Sequence, residues 1–220
     1  MVTALAAVAR VGSIAIDLAA ELVAPTRCAA CDGTVRRRGL FCLACASTVE
    51  RAGGDDDPRC VAAFEYGGAI ATAIARLKYQ ERADLASRLG RAMEQAARRL
   101  DGSVDLVVPV PLHPRRLAER GYNQAALLAG PIARALGVRT RAGALVRVRD
   151  TPQQVAMDRE SRLSNVDGAF AVRERSKVTG KRVLLVDDVR TTGATLDGCA
   201  RALHEVGVQR AFALVLARRA

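Results

Sequence analysis

The sequence predicts an α/β protein, a mostly parallel sheet flanked by helices, with a small four-cysteine module in front. Three observations carry that expectation. Over residues 59–220 short apolar strands alternate with helical stretches, the pattern of parallel strands joined by crossovers. Nearer the N-terminus, Cys28, Cys31, Cys42 and Cys45 form two Cys-x2-Cys pairs with ten residues between them. Residues 183–195 read VLLVDDVRTTGAT, an apolar strand that ends in two acids and turns through Thr-Gly into a helix.

Taken in order, residues 4–22 place apolar and small side chains at helical spacing and stop before Pro25, which predicts a short helix. The cysteine module follows and closes at Gly53-Gly54-Asp55-Asp56-Asp57-Pro58, a loop and the clearest boundary in the chain. The expected division is an N-terminal helix (1–24), the cysteine module (25–58) and an α/β domain (59–220). In the last, 60–66 reads as a strand, Gly67-Gly68 turns the chain, and a helix runs to residue 79. A second helix covers 83–100 and a short buried strand 105–110. A Pro- and Arg-rich loop leads to a helix over 121–136, and a strand near 143–148 opens the polar stretch 149–168. A strand at 182–186, a helix over 193–206 and a last strand at 211–217 complete the domain.

Half of the 220 residues are apolar, enough for a core and too many for disorder. Lys plus Arg number 34 against 23 Asp plus Glu, a formal charge of +11, and only Lys78, Lys177 and Lys181 are lysines. Such a balance suits an anionic partner: a phosphorylated metabolite, nucleic acid or an anionic membrane surface. An Arg- and Ala-rich composition spread over a solvated surface gives the same total. No apolar run reaches the roughly 20 residues of a membrane span. Arg10, Asp17 and Glu21 interrupt the N-terminal stretch, which also lacks a basic start. The expectation is a cytoplasmic protein with no membrane insertion and no secretory signal.

Two residues between cysteines let one tight turn present both thiolates to an ion. Two such turns complete the tetrahedral shell that Zn²⁺ favours, usually in a structural role. Arg27, Arg36, Arg37 and Arg38 lie close in sequence and favour the thiolate form. The competing readings are disulfides and idle thiols; the first needs an oxidising compartment, to which nothing in the sequence directs the chain. A zinc ion would staple a module of about 30 residues that is too small for its own core. Cys60 and Cys199 read as small buried apolar residues.

In open α/β sheets ligands bind beyond the carboxyl ends of the strands, where Asp187 and Asp188 fall. Gly193 permits close backbone approach. With the Thr191, Thr192 and Thr195 hydroxyls and the helix N-terminus it forms a cradle for a phosphate dianion. It is not a P-loop, because the glycine spacing and the Lys are missing. Carboxylates beside a phosphate repel it unless the ligand presents hydroxyls or brings Mg²⁺. A ribose 5-phosphate does both, and its hydroxyls can donate to Asp187 and Asp188.

The stretch VDDVRTTGAT resembles the phosphoribosyl pyrophosphate (PRPP) motif of type I phosphoribosyltransferases. Leu77-Lys78-Tyr79, Arg120-Gly121-Tyr122-Asn123-Gln124, Thr151-Pro152-Gln153-Gln154, Arg162 with Asn165, Ala169-Phe170 and the four-cysteine module narrow the resemblance to the ComF/GntX family, over residues 20–220. The resemblance implies a type I phosphoribosyltransferase fold behind a zinc-ribbon-like module, with PRPP across the C-terminal edge of the sheet. Asp187 and Asp188 would then be the catalytic pair that holds the ribose hydroxyls. The whole run Asp187, Asp188, Val189, Arg190, Thr191, Thr192, Gly193, Ala194 and Thr195 would bind PRPP. The loop after strand 105–110, with Pro111, His113, Arg115, Arg116, Arg120 and Asn123, corresponds to the pyrophosphate loop, and guanidiniums match phosphate oxygens bidentately. Residues 149–165 fall where such enzymes carry a lid, which assigns Gln154, Arg159 and Arg162 to it; charges on a surface helix are the competing reading for the two arginines.

Breaking the bond from ribose C1 to pyrophosphate passes through an oxocarbenium-like state. Catalysis then means stabilising the departing pyrophosphate with Mg²⁺ and Arg while a nucleophile is positioned opposite. The sequence departs from the better-known enzymes of this fold. Thr191 stands where 6-oxopurine enzymes carry an acid, the lid lacks the Lys of orotate-type enzymes, and Arg190 replaces an apolar residue. Two functions therefore stand side by side, in a family linked to natural competence. One is Mg-dependent phosphoribosyl transfer to an acceptor the sequence does not name. The other is a non-catalytic PRPP sensor or single-stranded-DNA-binding competence factor. A third reading makes the cysteine module a docking element for proteins of the DNA-uptake machinery. His113 is a candidate ligand contact, His204 a surface residue, and Tyr66, Tyr79 and Tyr122 core or rim residues.

Overall fold

The computed structural model describes residues 26–35, 39–54, 59–100, 104–149 and 168–219. The predicted helix over 4–22, Arg36–Arg38 and the lid residues Gln154, Arg159 and Arg162 lie outside the described residues. A one-turn helix, α1 (Leu43–Ala46), sits in the cysteine module. Beyond it come β1 (Cys60–Glu65), α2 (Gly68–Tyr79), α3 (Leu85–Ala97), β2 (Leu106–Pro109), α4 (Pro114–Arg120) and α5 (Gln124–Leu136). Then follow β3 (Arg139–Thr140), β4 (Leu145–Arg147), β5 (Phe170–Val172), α6 (Arg175–Val178), β6 (Arg182–Arg190), α7 (Ala194–Glu205) and β7 (Arg210–Arg218).

Five strands pair in the order β1-β7-β6-β2-β3, every pair parallel, as expected of strands joined by helical crossovers. Period-two alternation divides their apolar side chains between two cores. Val61, Val107, Leu184, Val186, Phe212 and Leu214 face α2, α3 and α5. Ala62, Val108, Val183, Leu185 and Val215 face α7, through Leu196, Cys199 and Leu203, and the hairpin residues Leu145 and Phe170. Both sheet faces are covered, which is why these strands read as continuous apolar runs rather than as alternating ones.

Four features differ from the sequence expectation. The Pro- and Arg-rich loop contains α4: Pro114 occupies its first turn, the His113 ring accepts from the Arg115 amide at 3.4 Å, and Gly121 (φ 79°) ends it. The next helix consequently begins at Gln124 rather than 121. Strand 182–186 continues to Arg190, because β7 supports it as far as the Arg190–Arg218 pair after β2 has ended at Pro109–Val186. The strand near 143–148 does not join the sheet; it forms an antiparallel hairpin with β5, a strand the pattern did not reveal.

The cysteine module shares the main core. Ala29 is fully buried in it, and Leu40, Phe41 and Val49 pack against it. Three arginines tie the two cysteine turns to α2 and its surroundings. The buried Arg76 donates to the Ala29 and Ala30 carbonyls and pairs with Asp32. Arg82 pairs with Asp32 at 2.8 Å, and Arg88 donates to the carbonyls of Arg27 (2.7 Å), Gly39 and Leu40. Residues 50–52 run antiparallel along β1 through Glu65 N to Glu50 O and Ala52 N to Ala63 O, which covers the edge of the sheet.

Candidate active site at the carboxyl ends of β2 and β6

The topology locates one crevice. From β2 the chain leaves through α5 on one face to the outer strand β3; from β6 it leaves through α7 on the other face to β7. The carboxyl ends of β2 and β6 are therefore neighbours whose connections diverge, the place where open α/β sheets hold ligands. Because β6 outruns β2, its last four residues, Asp187 to Arg190, project into that crevice.

Strand alternation gives the two acids different surroundings. Asp188 follows Leu184 and Val186 onto the face of α2, while Asp187 follows Val183 and Leu185 onto the face of α7. Asp188 is 3% exposed and meets Lys78, from the last turn of α2, at 2.8 Å. Its second oxygen, Oδ2, is buried and has no hydrogen-bond partner among the described residues. Burial alone would lower the Lys78 pKa; the charge and hydrogen bond of Asp188, with help from Asp187, outweigh it and hold the ammonium above its ordinary value. Asp187 accepts the Asp188 amide at 2.8 Å. Desolvation of its carboxyl, then the neighbouring Asp188 charge, raise its pKa to about 7 against the opposing pull of Lys78 and Arg147.

Beyond the acids, Thr191 and Thr192 are exposed and Gly193 takes φ 86°, the left-handed region where a side chain is strained. Gly193 is also the residue before the twelve-residue α7, so no side chain of its own caps the first amides of that helix. The Ala194 amide stands 3.5 Å from the Thr192 hydroxyl. An uncapped helix start behind two hydroxyls can accept an anion. Arg190 and Thr192 also line a cavity of about 350 Å³ beside α7, together with Arg59, His204 and Arg210.

On the α2 side lies a second cavity of about 330 Å³, lined by Lys78, Tyr79, Glu81, Arg116, Glu119, Arg120 and Tyr122. Arg120 lies over the Tyr79 ring at 5.4 Å from its centre, and the Tyr122 hydroxyl donates to the Leu77 carbonyl, fixing the α4–α5 connection to the end of α2. The expected pyrophosphate residues thus separate. Arg116 and Arg120 face the cavity. Arg115 lies on the exposed side of α4, paired with Glu119 at 3.2 Å. Asn123 is architectural: its carbonyl caps α5 by accepting the Ala125 amide at 2.9 Å, and its amide donates to Val110 O at 3.0 Å. Sequence reasoning missed Lys78 as a site residue. Its signal was available, one of three lysines in the chain and part of the Leu77-Lys78-Tyr79 motif.

The four cysteines converge. Their sulfurs lie within 4.8 Å of one another, with Cys31 and Cys42 at 3.7 Å. Four thiolates at about 2.3 Å from a tetrahedral ion would be about 3.8 Å apart, so the donor set suits such a metal. Burial would raise the Cys28 thiol, yet backbone amides around Cys31, Cys42 and Ala30 bring it down to about 6. Cys45 is pushed up to about 12 by the sulfurs beside it. A cation bound among them would let all four ionise together. Cys60 and Cys199 are buried in the second core, where burial keeps Cys199 a neutral thiol.

A phosphoribosyl transferase domain matches residues 122–220. The chain is 32% identical over 197 residues to the DNA utilization protein YhgH of Salmonella typhi, covering 82% of this chain and 85% of that one. It is 33% identical over 151 residues to competence protein F of Haemophilus influenzae, covering 66% of each. The solved adenine phosphoribosyltransferase of Giardia lamblia shares 21% identity over 66% of this chain and 72% of its own, with a TM-score of 0.40. Fold and crevice define a phosphoribosyltransferase-like protein built on the type I fold. Within that class the chain belongs to the ComF-type family. No helix among the described residues is long and apolar enough to cross a membrane.

Proposed function

We propose that the protein binds PRPP, or another ribose 5-phosphate, and acts in the cytoplasm in the handling of incoming single-stranded DNA. The observation that supports this above others is the meeting, in one crevice, of two carboxylates with an uncapped helix start behind Thr191-Thr192-Gly193. A ligand with vicinal hydroxyls and a phosphate on one ring suits both halves. In this reading Asp187 and Asp188 accept from the ribose hydroxyls, and the run from Val189 to Thr195 wraps the 5-phosphate. Arg116 and Arg120, with Arg115 behind them, neutralise the pyrophosphate; Gln154, Arg159 and Arg162, outside the described residues, are assigned to the lid. Asp187 and Asp188, the second with a buried unpartnered oxygen, are also the residues that would hold Mg²⁺, which supplies charge neutralisation for a departing pyrophosphate. The cysteine module holds a structural Zn²⁺. With these parts the activity is phosphoribosyl transfer in which the chain binds, orients and neutralises.

Thermal unfolding tests the reading. At one hundred times Kd, PRPP with Mg²⁺ stabilises a one-site protein by about 2.7 kcal/mol. Inorganic phosphate at the same concentration is expected to do far less, and Asp188→Asn to lose the difference. Equal shifts with PRPP and phosphate reject the assignment.

The names of the relatives, DNA utilization protein and competence protein, keep a second reading beside it: a non-catalytic competence factor that senses PRPP or holds single-stranded DNA on its basic surface. Binding without Mg-dependent pyrophosphate release favours this reading over the transferase. Leu43, 89% exposed on α1, would serve the cysteine module in docking DNA-uptake proteins.

A further inference from the structure

Lys78 belongs at once to two sites. Its ammonium pairs with Asp188, yet its side chain is 21% exposed and forms part of the lining of the 330 Å³ cavity. That lining holds three cations, Lys78, Arg116 and Arg120, against two carboxylates, Glu81 and Glu119. Without Lys78 the cavity walls are balanced; with it they favour an anion. The same ammonium is the only hydrogen-bonding partner seen for the Asp188 carboxylate among the described residues. A hydroxyl or cation that claims the Oδ1 of Asp188 competes with Lys78 for it, and a long unbranched side chain can turn from one to the other.

We propose that Lys78 is an exchange residue: it neutralises Asp188 when no ligand is bound, and turns into the Arg116–Arg120 cavity to hold a diphosphate when ribose hydroxyls take its place. This rests on the ribose-phosphate reading above and adds to it one lysine that couples the ribose half of the site to the pyrophosphate half. Arg120, stacked over Tyr79, and Tyr122, bonded to the Leu77 carbonyl, keep the end of α2 in register with the pyrophosphate half. The two halves of the ligand are thereby linked, since the ribose half releases the charge that the diphosphate half uses.

The test is calorimetric titration of the full chain with inorganic pyrophosphate and ribose 5-phosphate, each without Mg²⁺, and with PRPP in its presence. Asp188→Asn frees Lys78, so it should bind pyrophosphate more tightly than wild type, while losing affinity for ribose 5-phosphate by about tenfold or more. Lys78→Met should weaken pyrophosphate and PRPP by about tenfold and spare ribose 5-phosphate. It leaves a buried carboxylate unpaired, so the double variant Lys78→Met with Asp188→Asn keeps the experiment interpretable; pyrophosphate must remain weak in it. Pyrophosphate affinity that falls in Asp188→Asn, or that Lys78→Met leaves unchanged, overturns the proposal while PRPP binding by wild type stands. Wild-type protein that binds neither PRPP nor ribose 5-phosphate overturns the ribose-phosphate reading itself, and the exchange with it.

Discussion

Two adjacent carboxylates on a strand cannot share a face, and Asp187 and Asp188 show the consequence. Asp188 finds a lysine and Asp187 does not, so the cost of desolvation falls on Asp187 and raises its pKa to about 7. The folded state thus favours protonated Asp187, and its charge opposes folding once the pH exceeds about 7. That opposition fades as the pH falls below the folded value toward the ordinary carboxylate range. Asp187→Asn should accordingly raise the melting temperature of the unliganded protein by a few degrees above that pH. The gain should vanish in more acid solution, and a pH series of thermal unfolding curves reads it. PRPP affinity should move the other way, strengthening as the pH rises through about 7, because the ionised carboxylate is the better acceptor.

At the scale of elements, the helices that carry the site are set by small residues whose roles are opposite. Gly90 on α3 faces α5 so closely that a Cβ there would lie 2.8 Å from the Leu128 carbonyl oxygen and 2.9 Å from Pro131. Gly130, inside α5, would place a Cβ no nearer than 3.7 Å to the tip of Arg134. Gly90→Ala is expected to cost about 1–3 kcal/mol through overpacking. Gly130→Ala should change stability by less than about 1 kcal/mol, because the gain in helix propensity is opposed by the crowding of a Cβ against the following Pro131. Denaturant unfolding of both variants checks the difference, and a neutral Gly90→Ala would mean that α3 and α5 can separate freely. Element boundaries were the less legible part of the sequence. The charge run RRLAER hid a seven-residue helix, although Pro114 and Gly121 mark its start and stop. The hairpin of β4 and β5 was hidden because its partner strand has only three residues.

Across the whole molecule, the +11 charge divides. Arg76, Arg82 and Arg88 lie in the joint between module and domain, and Arg116 and Arg120 face the cavity. Arg91, Arg98, Arg134, Arg139 and Arg149 are exposed. If this last group holds single-stranded DNA, affinity must fall with salt, log K dropping by about 0.7 per decade of salt for each phosphate neutralised. Anisotropy titrations at low and moderate salt measure the slope, and a flat response removes the arginine surface from the DNA reading.

The sequence by itself determined the fold class, the convergence of four cysteines and the strand that carries the acids. Each is written in local spacing: period two, Cys-x2-Cys, and a Thr-Gly turn at the end of an apolar run. Only the tertiary structure decided which groups oppose one another. It gave Asn123 the role of a helix cap and brought Lys78 in against Asp188, across 110 positions of sequence. It also packed the cysteine module against the main core through Ala29, Leu40, Phe41 and Val49. The reason is physical: spacing fixes what a segment can become, whereas the charge state and partner of a buried group depend on what other segments press against it.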